Sequence, residues 1–471
     1  MSMFQNGSPV VDLQSPNMGF MSWLRFECQV DCDSYPHACI NEDLYQTSAN
    51  AMVEQGYLEA GYNLVAVDDC WMQPGDNSRD PISHQLVADP QRFPHGMKAL
   101  GDYLHERGLQ FGLYLDVGTI TCANYTGSYG YEHLDVDTFA EWGVDYLKLD
   151  ACNLRQKKIL PSFIEFGTAI QELAHQKMMF SCCAPVYLGH NETLKVKQQH
   201  LYDILYHEAG CNTWRNFHFV DNSWPGLKRV ILHWADYWQD LQSIPHGFND
   251  ADMLLAGDDV PSLLPPVQAQ LQMGFWAMIS SPLFIGADVR SIPPVYRKVL
   301  LNRHVIAVNQ DVSQQRQASC VLGCKGSNYK NTTNSGSLDV QVWAKLVRHG
   351  QSVVLGFFNL NEQHQESSIS YEFELERGRG IAQCVDLWNG NSGSSKVEEL
   401  PDICAKGRGQ ISRHWNIQIQ RESNNIKRLH IQTLGVLPTS HRMLRVDFFD
   451  TLQPPHPPNQ GRTRDKEPKA Q

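Results

Sequence analysis

Leu109 to Asp116 reads LQFGLYLD, and Asp145 to Asp150 reads DYLKLD. Each is a short apolar run of strand length that ends in an aspartate. Leu64 to Asp69 (LVAVDD) is a third of the same kind, and Lys177 to Cys182 (KMMFSC) is a fourth apolar run without the terminal acid. Leu44 to Ala60, Gly96 to Arg107 and Val136 to Trp142 carry amphipathic helical spacing ahead of the first three. Strands alternating with helices imply right-handed crossovers and a parallel sheet. A carboxylate placed repeatedly at a strand's C-terminal end is where a (β/α)8 TIM barrel carries its chemistry, although Asp also stops strands for reasons of turn formation alone.

The character changes after Asn309-Gln310-Asp311. Segments such as LDVQVWAKLV, SVVLGFFNL, NIQIQ and MLRVDFFD alternate apolar and polar residues between Gly, Asn and Ser turns. That is an antiparallel β domain. The expected division is an N-terminal extension over 1–16, a barrel over 17–312, an antiparallel β-sandwich over 313–452 and a disordered tail over 453–471, where proline and mixed charge lack any apolar anchor.

With 471 residues and 42% apolar composition, the chain has room for a barrel and a partner domain. Lys plus Arg number 39 against 51 Asp plus Glu, a net charge of −12 without basic blocks, which argues against a nucleic-acid partner. No uncharged apolar run approaches the roughly 18 residues of a bilayer span. Thirteen cysteines, nine of them between Cys28 and Cys211, read as secretory disulfides with at least one thiol left over. Sequons at Asn6, Asn124, Asn191 and Asn331 agree with a lumenal chain. Met1 to Pro16 shows neither a basic n-region nor an apolar h-region, so no secretory signal is visible.

Phosphate-binding, dinucleotide, serine-esterase and zincin motifs are absent, and no cofactor is expected. Cys320 and Cys324, with Cys384 and Cys404, form either disulfides or a zinc set; disulfides are the expectation and no metal site is assigned. What remains is a mixture of carboxylates, cations and rings: Asp68 and Asp69 beside Trp71, Tyr114 with Asp116, Lys148 with Asp150, Arg215, Asp250, and Asp252 beside Met253. Rings stack on sugar faces and carboxylates accept from sugar hydroxyls, so the mixture suits a polyhydroxylated ligand. Lys148 and Asp150 share one face of a strand. An ammonium there favours a carboxylate poised as a nucleophile, and a structural ion pair is the competing reading.

Eight segments in order carry a family likeness: NMGFMSW (17–23), DDCWM (68–72), ADPQRFPHG (88–96), FGLYLDVG (111–118), TFAEWGVDYLKLDAC (138–152), WRNFHFVDNSW (214–224), FNDADML (248–254) and VIAVNQD (305–311). Over about residues 12 to 312 the chain resembles the eukaryotic lysosomal α-galactosidase and α-N-acetylgalactosaminidase family. The resemblance implies a (β/α)8 barrel followed by a C-terminal antiparallel β-sandwich. It makes Asp150 the nucleophile of a retaining glycosidase, and Asp68, Asp69, Tyr114, Lys148, Arg215, Asp252 and Met253 the residues that hold a terminal galactose. It pairs Cys28 with Cys70, Cys32 with Cys39, Cys122 with Cys152 and Cys182 with Cys211. A lysosomal or secreted location and a homodimer are also implied.

The chain departs from that pattern at a decisive position. The family's general acid/base is an Asp four residues after the Arg of W-R-N, and here that position is Phe219. Asp221, two residues on, is the substitute candidate. Phe20, Ala184 and Phe248 each replace a Trp of the pattern, which shrinks the sugar platform. In the loop that reads the 2-substituent, the chain carries Cys183 and Val186 where galactosidases have Glu and Leu and N-acetylgalactosaminidases have Ser and Ala; Cys183 is also the candidate unpaired thiol. Two readings follow: an exo-acting retaining hydrolase of terminal α-galactosyl or α-N-acetylgalactosaminyl groups, impaired by Phe219, or a galactose-binding pseudoenzyme.

Overall fold

The computed structural model describes residues 11–173, 177–188, 198–241, 247–257, 264–312, 317–327, 339–362, 368–374, 379–388, 402–403, 415–422, 425–433, 436–437 and 439–450. Asn6, Asn191, Asn331, Cys404 and the tail 453–471 lie outside the described residues.

Eight parallel strands form one sheet: β1 (Met18–Met21), β2 (Leu64–Val67), β3 (Gln110–Asp116), β4 (Tyr146–Asp150), β5 (Met179–Cys182), β6 (Thr213–Arg215), β7 (Phe248–Asp250) and β8 (Leu283–Ile285). Their order is β7-β6-β5-β4-β3-β2-β1-β8. The two ends meet just beyond β7, where an isolated parallel bridge joins Leu254 to Ile285; Leu254 N–H donates to Phe284 O (2.7 Å) and Gly286 N–H to Leu254 O (3.0 Å). The parallel strands therefore curve into a ring of TIM-barrel type.

Alternation along each strand decides what faces the ring's centre. Met21, Leu64, Ala66, Tyr146, Met179, Met253 and Phe284 form one buried cluster, while Val65, Val67, Leu113, Leu147 and Leu149 join the cluster shared with the helices. Continuing the inward series by two residues reaches Asp68 from Ala66, and Lys148 then Asp150 from Tyr146. Gly112 makes room for this filling: a Cβ there would sit 3.0 Å from the Ala66 Cβ and 3.2 Å from the Tyr146 ring.

The helices differ from the expected spans mainly at their ends. The stretch 44–60 is two helices, Glu42–Glu54 and Tyr57–Ala60, broken where Gly56 takes φ 84°. The Asn41 side chain caps the first by accepting from Leu44 N–H at 2.9 Å. The expected 96–107 and 136–142 helices run Gly96–His105 and Glu132–Glu141. No helix of the described residues is long and apolar enough to cross a membrane.

C-terminal to the ring, eight further strands pair antiparallel throughout: β9 (Ser319–Leu322), β10 (Val340–Val347), β11 (Ser352–Asn359), β12 (Ser370–Glu374), β13 (Arg379–Asp386), β14 (Trp415–Glu422), β15 (Asn425–Thr433) and β16 (Ser440–Asp450). They form a five-stranded sheet, β13-β16-β11-β10-β9, and a three-stranded sheet, β12-β15-β14. Leu355, Phe357, Leu444 and Val446 from the first share a buried cluster with Trp415, Ile417, Leu429 and Ile431 from the second.

Lys345 on β10 joins these strands to the barrel's helices. Fully buried, its ammonium donates to Val308 O (2.6 Å), Ser280 Oγ (2.6 Å) and Ala277 O (3.1 Å), at the C-terminal ends of two helices where the dipole favours a cation. Burial pushes Lys345 down to about 7, with Asp311 pulling the other way. An unfolded lysine holds its proton to roughly pH 10.4. Between pH 7 and 10 the unfolded chain therefore binds more protons, and this group's contribution to stability rises with pH. Lys345→Met is expected to remove that rise, measured as a flatter midpoint of thermal unfolding between pH 7 and 9 than in the unaltered protein.

Candidate active site

The strand ends and the loops after them deliver the ionisable side chains to one mouth, nearly all of them less than 6% exposed. Lys148 does not pair with Asp150. Its ammonium lies 2.8 Å from Asp68 Oδ2, across the ring interior; burial alone would lower Lys148, but the charges of Asp68 first, then of Cys183 and Asp150, together hold it above its ordinary value. The competing reading, a structural ion pair of Lys148 with Asp150, thus gives way to a pair of Lys148 with Asp68. Arg215 is the second cation: Nε and Nη2 each reach Asp250 Oδ2 at 3.0 Å, and Nη2 lies 3.0 Å from Asp252 Oδ1. Its Nη1 is buried without a hydrogen-bond partner among the described residues. A buried guanidinium N–H without a partner is uncommon in a folded protein.

Asp150 is held by two phenols. Tyr187 donates to Oδ1, and Tyr114 lies 3.5 Å from Oδ2 while also reaching Cys122 Sγ at 3.2 Å. Burial and then the Asp150 charge push both hydroxyls well above their ordinary range, so both remain donors. Tyr187 is not among the residues that the sequence pattern singles out. It stands on the short helix Ala184–Leu188 right after β5, one residue past Val186, so the turn already singled out for Cys183 and Val186 was the available signal. Cys183 is the one free thiol among the described residues, fully buried, and burial with the nearby Asp150 charge pushes its ionisation well up.

Asp69 and Asp116 serve the loops. Asp69 accepts from Thr121 Oγ1 (3.0 Å), Cys70 N–H (2.7 Å) and Ala123 N–H (3.0 Å). Asp116 stands opposite Asp150 in the β3–β4 register and accepts from Gly118 N–H (2.6 Å) and Cys152 N–H (2.8 Å). Cys122 and Cys152 are bonded to each other, so the Asp116, Cys122, Cys152 grouping offers no thiolate to a metal. Among the described residues the other paired cysteines are Cys28–Cys70, Cys32–Cys39, Cys182–Cys211 and Cys320–Cys324, the last of which removes that pair as a zinc half-site; Cys384 is disulfide-bonded as well. Two site residues take left-handed backbone, Cys70 at φ 70° and Asp252 at φ 80°. Such strain persists where surrounding contacts over-determine it. Asp252 is fixed by Arg215 and by Val220 N–H at 2.8 Å, and Met253 N–H donates to its Oδ1 at 2.8 Å.

Trp71 is no sugar platform: it is fully buried, donating to Tyr114 O at 2.9 Å. Phe219 lies at the opening, 43% exposed, with the Arg215 guanidinium carbon 5.6 Å from its ring centroid. Asp221 does not join Asp150 by any contact among the described residues. Ser223 Oγ donates to one of its oxygens, and Arg229 Nη2 binds the other at 2.7 Å, at the start of the helix Trp224–Tyr237. More than half exposed, it serves that helix rather than the ring.

Residues 15–311 match the family model described as alpha galactosidase A. The chain belongs to that family. Among curated relatives, alpha-galactosidase A of Homo sapiens is 38% identical over 301 residues, 63% of this chain and 66% of the relative. Alpha-N-acetylgalactosaminidase of Gallus gallus is 37% identical over 302 residues, 63% of this chain and 71% of the relative. The crystal structure of alpha-galactosidase I from Mortierella vinacea superposes with a TM-score of 0.65 over 92% of this chain and 97% of that one; at 24% identity it speaks to the fold. Membership of the alpha-galactosidase A family places the chain among glycoside hydrolases, and the fold neighbour extends the likeness past the barrel into the antiparallel strands.

Burial pushes Asp69 up to about 6 and Asp116 up to about 7, against the hydrogen bonds that favour their ionised forms. An unfolded aspartate releases its proton near pH 3.9. From there to about pH 7 the folded chain binds more protons, so the stability these groups contribute falls as pH rises. The midpoint of thermal unfolding should decline between pH 5 and 7.5, and Asp116→Asn should make that decline shallower.

Proposed function

We propose that the mouth receives the non-reducing α-galactosyl or α-N-acetylgalactosaminyl end of a glycoside and that Asp150 attacks its anomeric carbon. The observation that carries the reading is the pairing of an accessible-chemistry carboxylate, Asp150 between Tyr114 and Tyr187, with the open N–H of Arg215 in the same buried mouth. Asp68, Asp69, Asp252 and Met253 complete the polar cradle, and Cys183 with Val186 borders the 2-substituent. Cys183 is small enough to accept either a hydroxyl or an acetamido group.

In the first step, an Asp150 oxygen bonds to C1 as the bond from C1 to the aglycone oxygen breaks, and the electron pair leaves with the aglycone. With Phe219 at the proton donor's place and Asp221 bound to Arg229, water protonates the departing oxygen. In the second, water attacks C1, the ester to Asp150 breaks, and the proton passes to solvent. Leaving groups that tolerate negative charge are therefore favoured, and general acid help of about 10²–10⁴ in rate is forgone on ordinary glycosides. A galactose-binding pseudoenzyme is the second reading, favoured by the same Phe219 and by the outward engagement of Asp221.

We place the division of the chain near residue 312, with 1–16 as an extension, and read the two C-terminal sheets as a β-sandwich, supported by their shared apolar cluster. The disulfides favour a lysosomal or secreted setting, and a homodimer is the expected assembly.

Hydrolysis of 4-nitrophenyl α-galactoside should be detectable, abolished by Asp150→Asn, and accelerated by added azide, which needs no base and yields α-galactosyl azide. Phe219→Asp should raise turnover of melibiose by about 10²–10⁴. Galactose binding without any Asp150-dependent turnover or azide product would establish the pseudoenzyme.

A further inference from the structure

A cavity of about 530 Å³ opens beside β1, lined by Arg25, Phe26, Glu27, Gln29, Tyr35 and Ala38 together with the Cys28 disulfide. None of these residues belongs to the Asp150 mouth. The volume falls within the range of small-ligand sites, roughly 300–1,000 Å³. The walls are covalently braced: Cys28–Cys70 fixes the inner side, and Cys32–Cys39 closes the loop that presents Tyr35 and Ala38. Such bracing lowers the ordering cost of binding. Within the loop, Ala38 and Cys39 N–H groups both donate to Tyr35 O at 3.0 Å, which holds the Tyr35 backbone while its side chain stays open to solvent. Tyr35 is 54% exposed.

The chemistry of the lining is mixed in a particular way. Phe26 forms an apolar floor, buried under the Arg25 guanidinium on one side (5.4 Å) and Arg290 on another (5.7 Å). Glu27, which lines the cavity, adopts φ 45° and ψ −129°, a backbone conformation that L residues rarely take. Gln29 uses its Oε1 to accept from Asp31 N–H at 3.0 Å, which leaves its amide N–H₂ as the donor end. A guanidinium, a carboxylate, an amide and a phenol on one apolar floor offer donors and acceptors in balance, with opposite charges that cancel. An anion or a cation would find one wrong-signed neighbour. A neutral ring bearing hydroxyl groups matches both the polar edge and the aromatic side chain.

We propose that this cavity is a second carbohydrate site, taking a neutral saccharide unit of one or two rings independently of the Asp150 mouth. It rests on the Proposed function only for the expectation that the protein meets glycans, and its test does not use hydrolysis. Saturation-transfer difference NMR with lactose, whose galactose is β-linked, should show transfer to the sugar in the unaltered full chain. The transfer should persist in Asp68→Ala, which disables the mouth, and should weaken by about tenfold in affinity in Tyr35→Ala. Tyr35 is exposed, so its truncation leaves the fold intact, and Glu27→Gln provides a second, isosteric variant with the same expected direction. Loss of all transfer in an Asp68→Ala protein that keeps the circular dichroism spectrum of the unaltered chain, unchanged transfer in Tyr35→Ala and Glu27→Gln, or no transfer to the unaltered protein would each overturn the second site. The primary reading is judged separately, by Asp150-dependent chemistry.

Discussion

Charges carried into a barrel mouth by strand alternation must be answered in place, because so little of each is open to water. Every strand from β2 to β7 contributes an inward polar residue at its C-terminal end or just past it, and the mouth they make is almost entirely buried. Burying an uncompensated ion costs several kcal/mol. The ring meets this by two close assemblies, Lys148 with Asp68 and Arg215 with Asp250 and Asp252, while backbone amides and hydroxyls answer Asp69 and Asp116. Among the described residues the remaining carboxylate, Asp150, receives only phenolic donors. That difference sets it apart: its neighbours orient it without tying its oxygens into a salt bridge, which suits the role proposed for it above.

The same constraint explains which parts were readable in advance. Strand positions and their terminal acids follow from local pattern, since a strand buried on both faces must be apolar until its end. Partner choice follows from geometry around the ring, which one strand's sequence does not contain. Lys148 and Asp150 share a strand face, so their pairing looked natural, yet same-face residues two apart stand in successive layers of the barrel. Lys148 accordingly meets Asp68 across the interior at its own level. Tyr187 was obscure for a related reason: it reaches Asp150 from a short helix rather than from a strand end. Asp221 looked available because it is near Phe219 in sequence, but the start of the following helix and Arg229 claim its carboxylate. The buried Trp71 misled in the opposite direction, since tryptophan beside two aspartates suggests a sugar platform while its N–H is taken by Tyr114 O.

The electrostatic balance of the mouth also bears on what Phe219 does there. Six carboxylates, Asp68, Asp69, Asp116, Asp150, Asp250 and Asp252, face two cations, Lys148 and Arg215. Like charges crowded at low dielectric raise one another's proton affinity, and Asp69 and Asp116 bear this out by their upward displacement, burial leading. A phenylalanine at the opening adds no seventh carboxylate to that excess, and its ring lies against the guanidinium that serves Asp250 and Asp252. Relative to the aspartate that the family resemblance implies at this position, phenylalanine relieves the site electrostatically while offering no proton. The reverse change would place a carboxyl among unbalanced negative charges at a partly exposed rim, conditions that favour its protonated form in mildly acidic solution. A protonated carboxyl is the form that can donate to a departing oxygen. The crowding that makes an aspartate costly at position 219 is thus also what would make it an acid.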